Sequence, residues 1–224
     1  MSKIIKKQLI GTTSWLVPGT YYENARLVAQ FVDFVELLVY TWDSDTKNLL
    51  ESELPKLNHL TEVYGLKYTV HLPTDNFENV KKALDFLEGK LEIINYVVHP
   101  YVSNEFEEFL RTFEKVSVEN LKERVYYSDR MVIDIGHHLT GEKVELNKVK
   151  KITEIHLMGV KDGKDHLSID EKTLSTLHDI LGDELFDIEL LCFEIFSMKD
   201  FIESLVTWQR WKERLSKLVG DANG

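Results

Sequence analysis

Eight short apolar runs recur along the 224 residues of this chain, and segments with helical spacing separate most of them. The runs are rich in Val, Ile and Leu and are nearly continuous rather than alternating, which indicates strands covered on both faces. They occupy residues 8–14, 33–40, 66–73, 92–100, 115–120, 130–137, 153–160 and 187–196. Strands that alternate with helices pair in parallel through right-handed crossovers, and eight such units close into a (β/α)8 barrel. The pattern therefore predicts an α/β fold, and specifically a TIM barrel.

Apolar residues at helical spacing predict the segments between the strands. The predicted helices are 22–31, 48–64, 80–89, 104–115, 121–130, 170–181 and 199–218, the fifth with room for only one or two turns. No linker rich in Ser, Gly or Pro interrupts the chain, so we expect one domain spanning residues 1–224. A doubly wound open sheet is the alternative, but the segment after the first run, GTTSWLVPG, contains neither G-x-G-x-x-G nor a P-loop.

The charge balance limits the possible partners. The chain has 27 Lys and Arg against 38 Asp and Glu, a net charge of −11, which argues against a surface that coats nucleic acid. A phosphate substrate remains compatible with this charge, because a bound metal ion can reverse the local field. The single cysteine, Cys192, cannot form an internal disulfide, and no signal-peptide or membrane-spanning apolar stretch is present in the sequence. We expect a cytoplasmic protein that contacts neither nucleic acid nor membrane, and the sequence leaves its oligomeric state open.

Histidines and carboxylates stand at or near the carboxyl ends of six of the predicted strands. They are His71, His99, Glu119, Asp134, His137, His156, His166 and Glu194. In a parallel barrel these ends converge on one rim, where active sites of this fold lie. Several carboxylates beside an apolar interior need a compensating charge, which a divalent cation provides. Imidazole together with carboxylate suits zinc, manganese or iron, so the rim is predicted to bind divalent metal ions.

Other polar residues carry weaker signals. One strand-end histidine alone is more often a hydrogen-bonded core residue than a ligand, and only the convergence of eight groups favours a metal site. Glu36, in VELLVY, either joins the rim or bonds a neighbouring strand, and both options stay open. His138 is expected to be a satisfied loop residue, and Cys192 is expected to be inert.

The order of the rim residues resembles the xylose isomerase-like TIM barrel superfamily over nearly the whole chain, from IGTTS to the last strand. This superfamily includes the family 2 apurinic endonucleases and many sugar isomerases and epimerases. In the isomerase and epimerase branch, four residues from the last four strands hold one metal ion. The resemblance assigns that role to Glu119, Asp134, His156 and Glu194.

The endonuclease branch has additional histidines that build a multinuclear site. The residues that match these additions are His71, His99, His137 and His166. The chain departs from that branch at Lys164, which stands where the pattern has an Asp, with Asp165 directly before His166. This departure predicts that one metal position is weaker or absent.

Several longer segments are similar to a narrower group, the cobamide-remodelling phosphodiesterases, which are small members of this superfamily. The segments are GTTSWLVPGTYYENARLVAQFVDFVELLVY, YTVHLPTD, SVEN, IDIGHHL, EIHLMGVKDGKDHLSID and FEIFSMKDFIESL. That group hydrolyses the phosphodiester of the cobamide nucleotide loop.

The first functional hypothesis is therefore a metal-dependent phosphodiesterase that acts on a small-molecule phosphoester with more than one ion. Glu119 and Glu194 would be the catalytic carboxylates that bridge the ions, and Lys164 and Glu36 would contact substrate. The alternative is a single-metal sugar isomerase or epimerase that acts on a ketose or ketose phosphate, with Glu119 and Glu194 as paired acid and base. The extra histidines distinguish the two, because a single-metal enzyme does not need His71 and His99 together. A barrel that binds a ligand without catalysis is the third possibility.

Overall fold

The computed structural model of this chain describes residues 7–221, and the side chains of residues 7–215. Eight parallel strands close into a barrel in which each strand pairs with its neighbour in sequence and the last pairs with the first. The barrel strands are β1 (Leu9–Thr13), β2 (Phe34–Leu38), β3 (Lys67–His71), β4 (Ile93–Val98), β5 (Val116–Glu119), β6 (Met131–Asp134), β7 (Ile152–Leu157) and β10 (Leu190–Phe193). The predicted TIM barrel is confirmed, and each barrel strand lies within one of the eight predicted runs except β7, which begins one residue before its run.

Helices cover the outside of the barrel. In the described part of the chain they are α1 (Tyr21–Val28), α2 (Ser44–Tyr64), α3 (Phe77–Leu87), α4 (Asn104–Thr112), α5 (Ile135–Thr140), α6 (Glu171–Leu181) and α7 (Met198–Asp221). Side-chain caps begin most of them, as at Thr20, whose hydroxyl accepts from the Glu23 backbone while the Glu23 carboxylate accepts from the Thr20 backbone. Gly65 ends α2 in the left-handed conformation, as its position in the sequence predicts. No helix within residues 7–221 has both the length and the hydropathy needed to cross a lipid bilayer.

The prediction of a helix over residues 121–130 is wrong, because the connection from β5 to β6 is an irregular loop. Asn120 fixes this crossover: its Nδ2 donates to the Asp134 carbonyl, and its Oδ1 accepts from the Asp134 backbone N–H at 2.8 Å. These bonds hold the ends of β5 and β6 side by side. The loop is then anchored outward by Arg124, whose Nη2 donates to the Pro100 carbonyl. These side-chain bonds hold the connection without a helical turn.

A short helix and a hairpin near the rim were not predicted. The short helix α5 follows β6 directly, with Asp134 as its cap. An antiparallel hairpin, β8 (Gly159–Lys161) and β9 (Lys164–Leu167), follows β7 and stands apart from the barrel.

The inside of the barrel contains an apolar and a polar group of side chains. Phe34, Leu190 and Cys192 form a small buried cluster. Beside it, on β4, β5 and β7, lies a polar layer in which the Ser117 hydroxyl donates to Asn95 Oδ1 at 2.7 Å and Asn95 Nδ2 donates to Glu154 Oε2 at 2.8 Å. The larger core lies outside the strands, where Trp208 and Trp211 of α7 stack with their ring centroids 5.5 Å apart. The polar interior supports the rim from below.

We predict that Gly11→Ala destabilises the protein by roughly 1–3 kcal/mol, because the interior is already filled at that point. A Cβ on Gly11 would clash with the ring of Phe34, which is fully buried. Urea unfolding measures the loss. Adding Phe34→Leu to Gly11→Ala should recover part of it, and an unchanged unfolding midpoint for Gly11→Ala alone would contradict the close packing.

Candidate metal centre

Six of the eight predicted rim residues, all but Asp134 and His156, line one pocket of about 240 Å³ at the carboxyl ends of the strands. Its walls are Tyr40, His71, Thr74, His99, Glu119, His137, His166 and Glu194. Asp134 and His156 lie fully buried beneath it. The fold therefore gathers all eight residues at one end of the barrel, as expected for strand-end groups in parallel strands.

Glu119, the last residue of β5, is the central contact of the site and is only 1% exposed. Its Oε1 lies 2.9 Å from His156 Nδ1. Its Oε2 lies 3.2 Å from His71 Nε2 and 3.0 Å from His99 Nε2. Although burial opposes ionisation, hydrogen bonds from these histidines hold the pKa of Glu119 well below its usual value. Each oxygen of one carboxylate therefore faces a different set of nitrogens.

The first ligand group surrounds Glu119 Oε1. Glu119, Asp134, His156 and Glu194 each offer one ligand atom, and these atoms lie within 4.8 Å of one another. His156 Nδ1 is also 3.2 Å from Glu194 Oε2, but its single hydrogen can serve only one carboxylate. Glu194 Oε2 and also Asp134 Oδ2 are buried with no hydrogen-bond partner among the described residues. Such unpartnered carboxylate oxygens fit a bound divalent cation.

The pKa values in the first ligand group show that its carboxylates need compensating positive charge. Burial raises the pKa of Asp134 well above its usual value, and the neighbouring Glu194 and Glu119 raise it further. Burial alone would lower the pKa of His156, yet Glu36 and Glu194 raise it well above normal. His156 holds the pKa of Glu194 down at about 2 against the effect of burial. Protons carry the compensating charge that a metal ion would supply, which is typical of a metal site.

The second ligand group, His71, His99 and Glu119, surrounds Oε2. The His71 ring is buried, and its Nδ1 lies 3.2 Å from the Leu72 carbonyl, which can only accept a hydrogen bond. Nδ1 therefore carries a hydrogen, and the lone pair of neutral His71 is on Nε2, facing a carboxylate oxygen. Two lone pairs in contact repel unless a proton or a cation lies between them. This group also fits a divalent cation.

His137 and His166 reach the pocket from α5 and β9. His137 Nδ1 is 2.8 Å from the Asn120 carbonyl, and His166 Nδ1 is 3.0 Å from the Glu194 carbonyl, so the other ring nitrogen of each remains for a ligand. Asp165 forms an ion pair with Lys122 at 2.5 Å. Among the residues with described side chains, His137 and His166 do not join a third His, Cys or carboxylate in a compact ligand group.

The two expected substrate contacts lie elsewhere. Lys164 is exposed on the hairpin, opposite Lys161, and does not line the pocket. Glu36 is fully buried below the rim, with Oε1 3.3 Å from His156 Nε2 and Oε2 accepting from Cys192 Sγ. The structure shows neither of the two options for Glu36, because its side chain lies below the rim and contacts β7 and β10 across the barrel interior, whereas β2 adjoins β1 and β3. His138 is buried and accepts from the Val144 backbone N–H, so it is satisfied as expected, but it lies in α5 rather than in a loop.

Sequence reasoning missed an aromatic edge beside the pocket. Tyr40 follows β2, with its hydroxyl 3.4 Å from Glu194 Oε1 and its ring edge-on to His71. Burial, and then the charge of Glu194, raises the pKa of Tyr40, so its O–H remains a donor. Trp15 is 49% exposed and Phe196 is 37% exposed, and their rings contact at 6.1 Å. These residues follow strand ends just as the histidines do, and that position was the signal that could have identified them.

Solved structures contain barrels similar to this one. A D-tagatose 3-epimerase-like protein matches with a TM-score of 0.69 and 19% identity, over 95% of this chain and 100% of that chain. A structure described as AsfvAP:AG matches with a TM-score of 0.62 and 13% identity, over 93% of this chain and 99% of that one. SacUVDE matches with a TM-score of 0.54 and 12% identity, over 92% and 99%. No protein-family model and no curated protein matches the sequence. These likenesses support the TIM barrel fold, and at such low identity they carry the fold alone.

We predict that Glu119→Gln lowers divalent metal affinity by more than the roughly 10- to 100-fold that loss of an outer-shell partner costs. The substitution keeps the size of the side chain but removes the charge that faces both ligand groups. Titration of the metal-free protein with Zn²⁺ measures the effect, and circular dichroism verifies the fold. Glu53→Gln is the control, because Glu53 is an equally buried carboxylate that caps Tyr22 far from the rim. Equal metal content in Glu119→Gln and the wild type would remove Glu119 from the site.

Proposed function

We propose that this protein is a metal-dependent phosphodiesterase that acts on a small-molecule phosphoester, with the cobamide nucleotide loop as the specific substrate to test. The observation that carries the proposal is the sharing of Glu119 between two ligand groups, one on each carboxylate oxygen. Two divalent ions about 3.5–4 Å apart are a recurring arrangement in phosphoester hydrolysis. When bound, such ions supply an activated water and neutralise charge on the phosphoryl oxygens.

The residues of the chain have separate tasks in this proposal. His71, His99 and Glu119 would hold one ion, and Asp134, His156 and Glu194 would hold the other with Glu119. The remaining ring nitrogens of His137 and His166 would contact phosphoryl oxygens from the pocket wall. Exposed Lys164 would reach only a part of the substrate that extends beyond the pocket.

The pocket and its edge support a substrate with a small reacting group and a larger organic part. A volume of about 240 Å³ holds a phosphodiester with its nearest substituents. The rest of a larger molecule would lie against Trp15 and Phe196 outside the pocket. Exposed aromatic faces stack on planar rings, which favours a heteroaromatic or nucleoside-like substituent. The net charge of −11 favours a small molecule over a nucleic acid as the partner.

A single-metal sugar isomerase or epimerase is the second candidate. Two observations favour it: the four-residue group of Glu119, Asp134, His156 and Glu194 is complete without the extra histidines, and a D-tagatose 3-epimerase-like protein shares the fold. This candidate leaves His71 and His99 without a chemical task. Their close contact with Glu119 therefore favours the phosphodiesterase.

Replacing both His71 and His99 with Ala tests the two candidates directly. For a dinuclear phosphodiesterase we expect the ion count to fall by about one, and hydrolysis of bis-p-nitrophenyl phosphate to fall by at least tenfold as charge stabilisation at the phosphoryl group is lost. Metal analysis after purification without chelator, together with initial rates, provides the measurement.

The control is His59→Ala, since His59 is exposed on α2 and distant from the rim. An isomerase would keep its metal content in the double variant and turn over a ketose. That result, combined with no phosphodiester cleavage by the wild type supplied with manganese, zinc or iron, would overturn the proposal.

The aromatic edge generates a separate prediction. Trp15→Ala should raise KM for a phosphodiester with an aromatic substituent while kcat changes little, because stacking on such a ring is worth about 1–3 kcal/mol. Initial rates of the wild type and of Trp15→Ala are measured with an aromatic and with a dialkyl phosphodiester. The two proteins should differ in KM for the aromatic substrate and have the same KM for the dialkyl substrate. Phe31→Ala is the control, since Phe31 is a more exposed aromatic residue close before β2, at the opposite end of the barrel. Equal KM values for the wild type and Trp15→Ala would exclude the aromatic edge from substrate binding.

A further inference from the structure

Beneath the rim, a buried carboxylate faces the inner nitrogen of His156. We propose that Glu36 is a positioning residue that fixes the tautomer and ring orientation of His156, so that Nδ1 presents its lone pair to a metal ion. Glu36 Oε1 and His156 Nε2 lie 3.3 Å apart, and both residues are 0% exposed. The proposal deepens the proposed function and rests on the metal binding that this function requires.

The position of Nδ1 determines where the ring hydrogen must be. Nδ1 lies within the first ligand group, 2.9 Å from Glu119 Oε1 and 3.2 Å from Glu194 Oε2. A neutral imidazole that ligates through Nδ1 carries its hydrogen on Nε2. That hydrogen is shielded from water and needs an acceptor, because a buried N–H without one destabilises the folded protein. Nε2 and Glu36 Oε1 are both buried without any hydrogen-bond partner in the described part of the chain, and the 3.3 Å between them lets them pair once the ring and the carboxylate turn toward each other.

The second oxygen of Glu36 is also held. Cys192 Sγ, on β10, donates to Glu36 Oε2 at 3.3 Å. The contacts thus run from the thiol to the carboxylate, from the carboxylate to the imidazole, and from the imidazole to the ligand group. Carboxylates that accept from a metal-binding histidine fix its orientation and strengthen its basicity. Glu36 and Cys192 would supply this support from inside the barrel.

Glu154 is the natural comparison because it lies in the same closed interior. One of its oxygens lies within 4.8 Å of ligand atoms on Glu36 and His156, so the three residues could also be considered a buried cation site. A cation there would require Nε2 as a ligand at the same time as Nδ1 serves the rim, and a neutral imidazole has only one lone pair. Glu154 instead accepts from Asn95 Nδ2 at 2.8 Å. Glu154 therefore provides a matched buried carboxylate without the positioning role.

The test compares Glu36→Gln with Glu154→Gln by titrating metal-free protein with Zn²⁺ in competition with a chelator. For Glu36→Gln we expect affinity for one ion, the one at His156, to fall about 10- to 100-fold while the ion at His71 and His99 is unaffected. Glu154→Gln should bind both ions as the wild type does. Unchanged affinity in Glu36→Gln, an equal loss in both variants, or a wild type that binds no Zn²⁺ would overturn the proposal.

A second measurement needs no variant and applies even if Glu36→Gln does not fold. Nitrogen-15 NMR of the Zn²⁺-loaded wild type should show His156 with its hydrogen on Nε2, and a hydrogen on Nδ1 would overturn the proposal. Phosphodiester hydrolysis is assayed in parallel so that the two ideas fail separately. Selective loss of one ion without any hydrolysis refutes the proposed function and retains the role of Glu36. Phosphodiester hydrolysis together with unchanged Zn²⁺ affinity in Glu36→Gln retains the proposed function and refutes the role of Glu36.

Discussion

The arrangement of the rim depends on one buried carboxylate, Glu119, that contacts nitrogens on both sides. His71 and His99 come from the two strand ends before β5, whereas His156 comes from β7, two strands beyond it. An ionised carboxylate that is only 1% exposed needs several kcal/mol of compensation from nearby positive charge or hydrogen bonds. The barrel supplies that compensation only when the ends of these strands are in register. The same contact therefore links the closure of the sheet to the formation of the site.

The polar layer below the rim explains how the site is kept in register. TIM barrels usually fill their interior with bulky branched side chains. Here the Thr153 hydroxyl donates to Ser117 Oγ at 2.9 Å and Ser117 donates to Asn95, which joins β7, β5 and β4 across the inside. Hydrogen bonds constrain direction as well as distance, so they fix the relative height of these strands more narrowly than apolar packing would. The candidate metal ligands at the ends of β5 and β7 are therefore held at a fixed relative height.

Much of this design follows from the sequence because parallel strands end at the same edge. The residue pattern alone is enough to group His71, Glu119 and Glu194, since each stands at or near the end of an apolar run. Glu36 could not be placed in the same way, because alternation gives its inward direction but its depth depends on the tilt of the strands around the barrel. The helix expected at 121–130 failed for a related reason: the tertiary bonds of Asn120 set the geometry of the crossover and override local propensity.

The hairpin is the part of the site for which the sequence did contain an unused signal. Asp162 and Gly163 have φ values of 52° and 75°, which suits the Asp-Gly turn typical of two-residue hairpins. This turn returns the chain toward the rim, where His166 has a φ of 56°, a costly conformation for a residue with a side chain. Stacking on Phe196 at 4.5 Å and the contact of Nδ1 with the Glu194 carbonyl hold His166 in place. These contacts with the segment after β10 hold the strained conformation of His166. Its imidazole therefore reaches the pocket from the hairpin and not from a barrel strand. The rigid barrel thus fixes the metal-binding groups, whereas the hairpin sets the wall against which a substrate would lie.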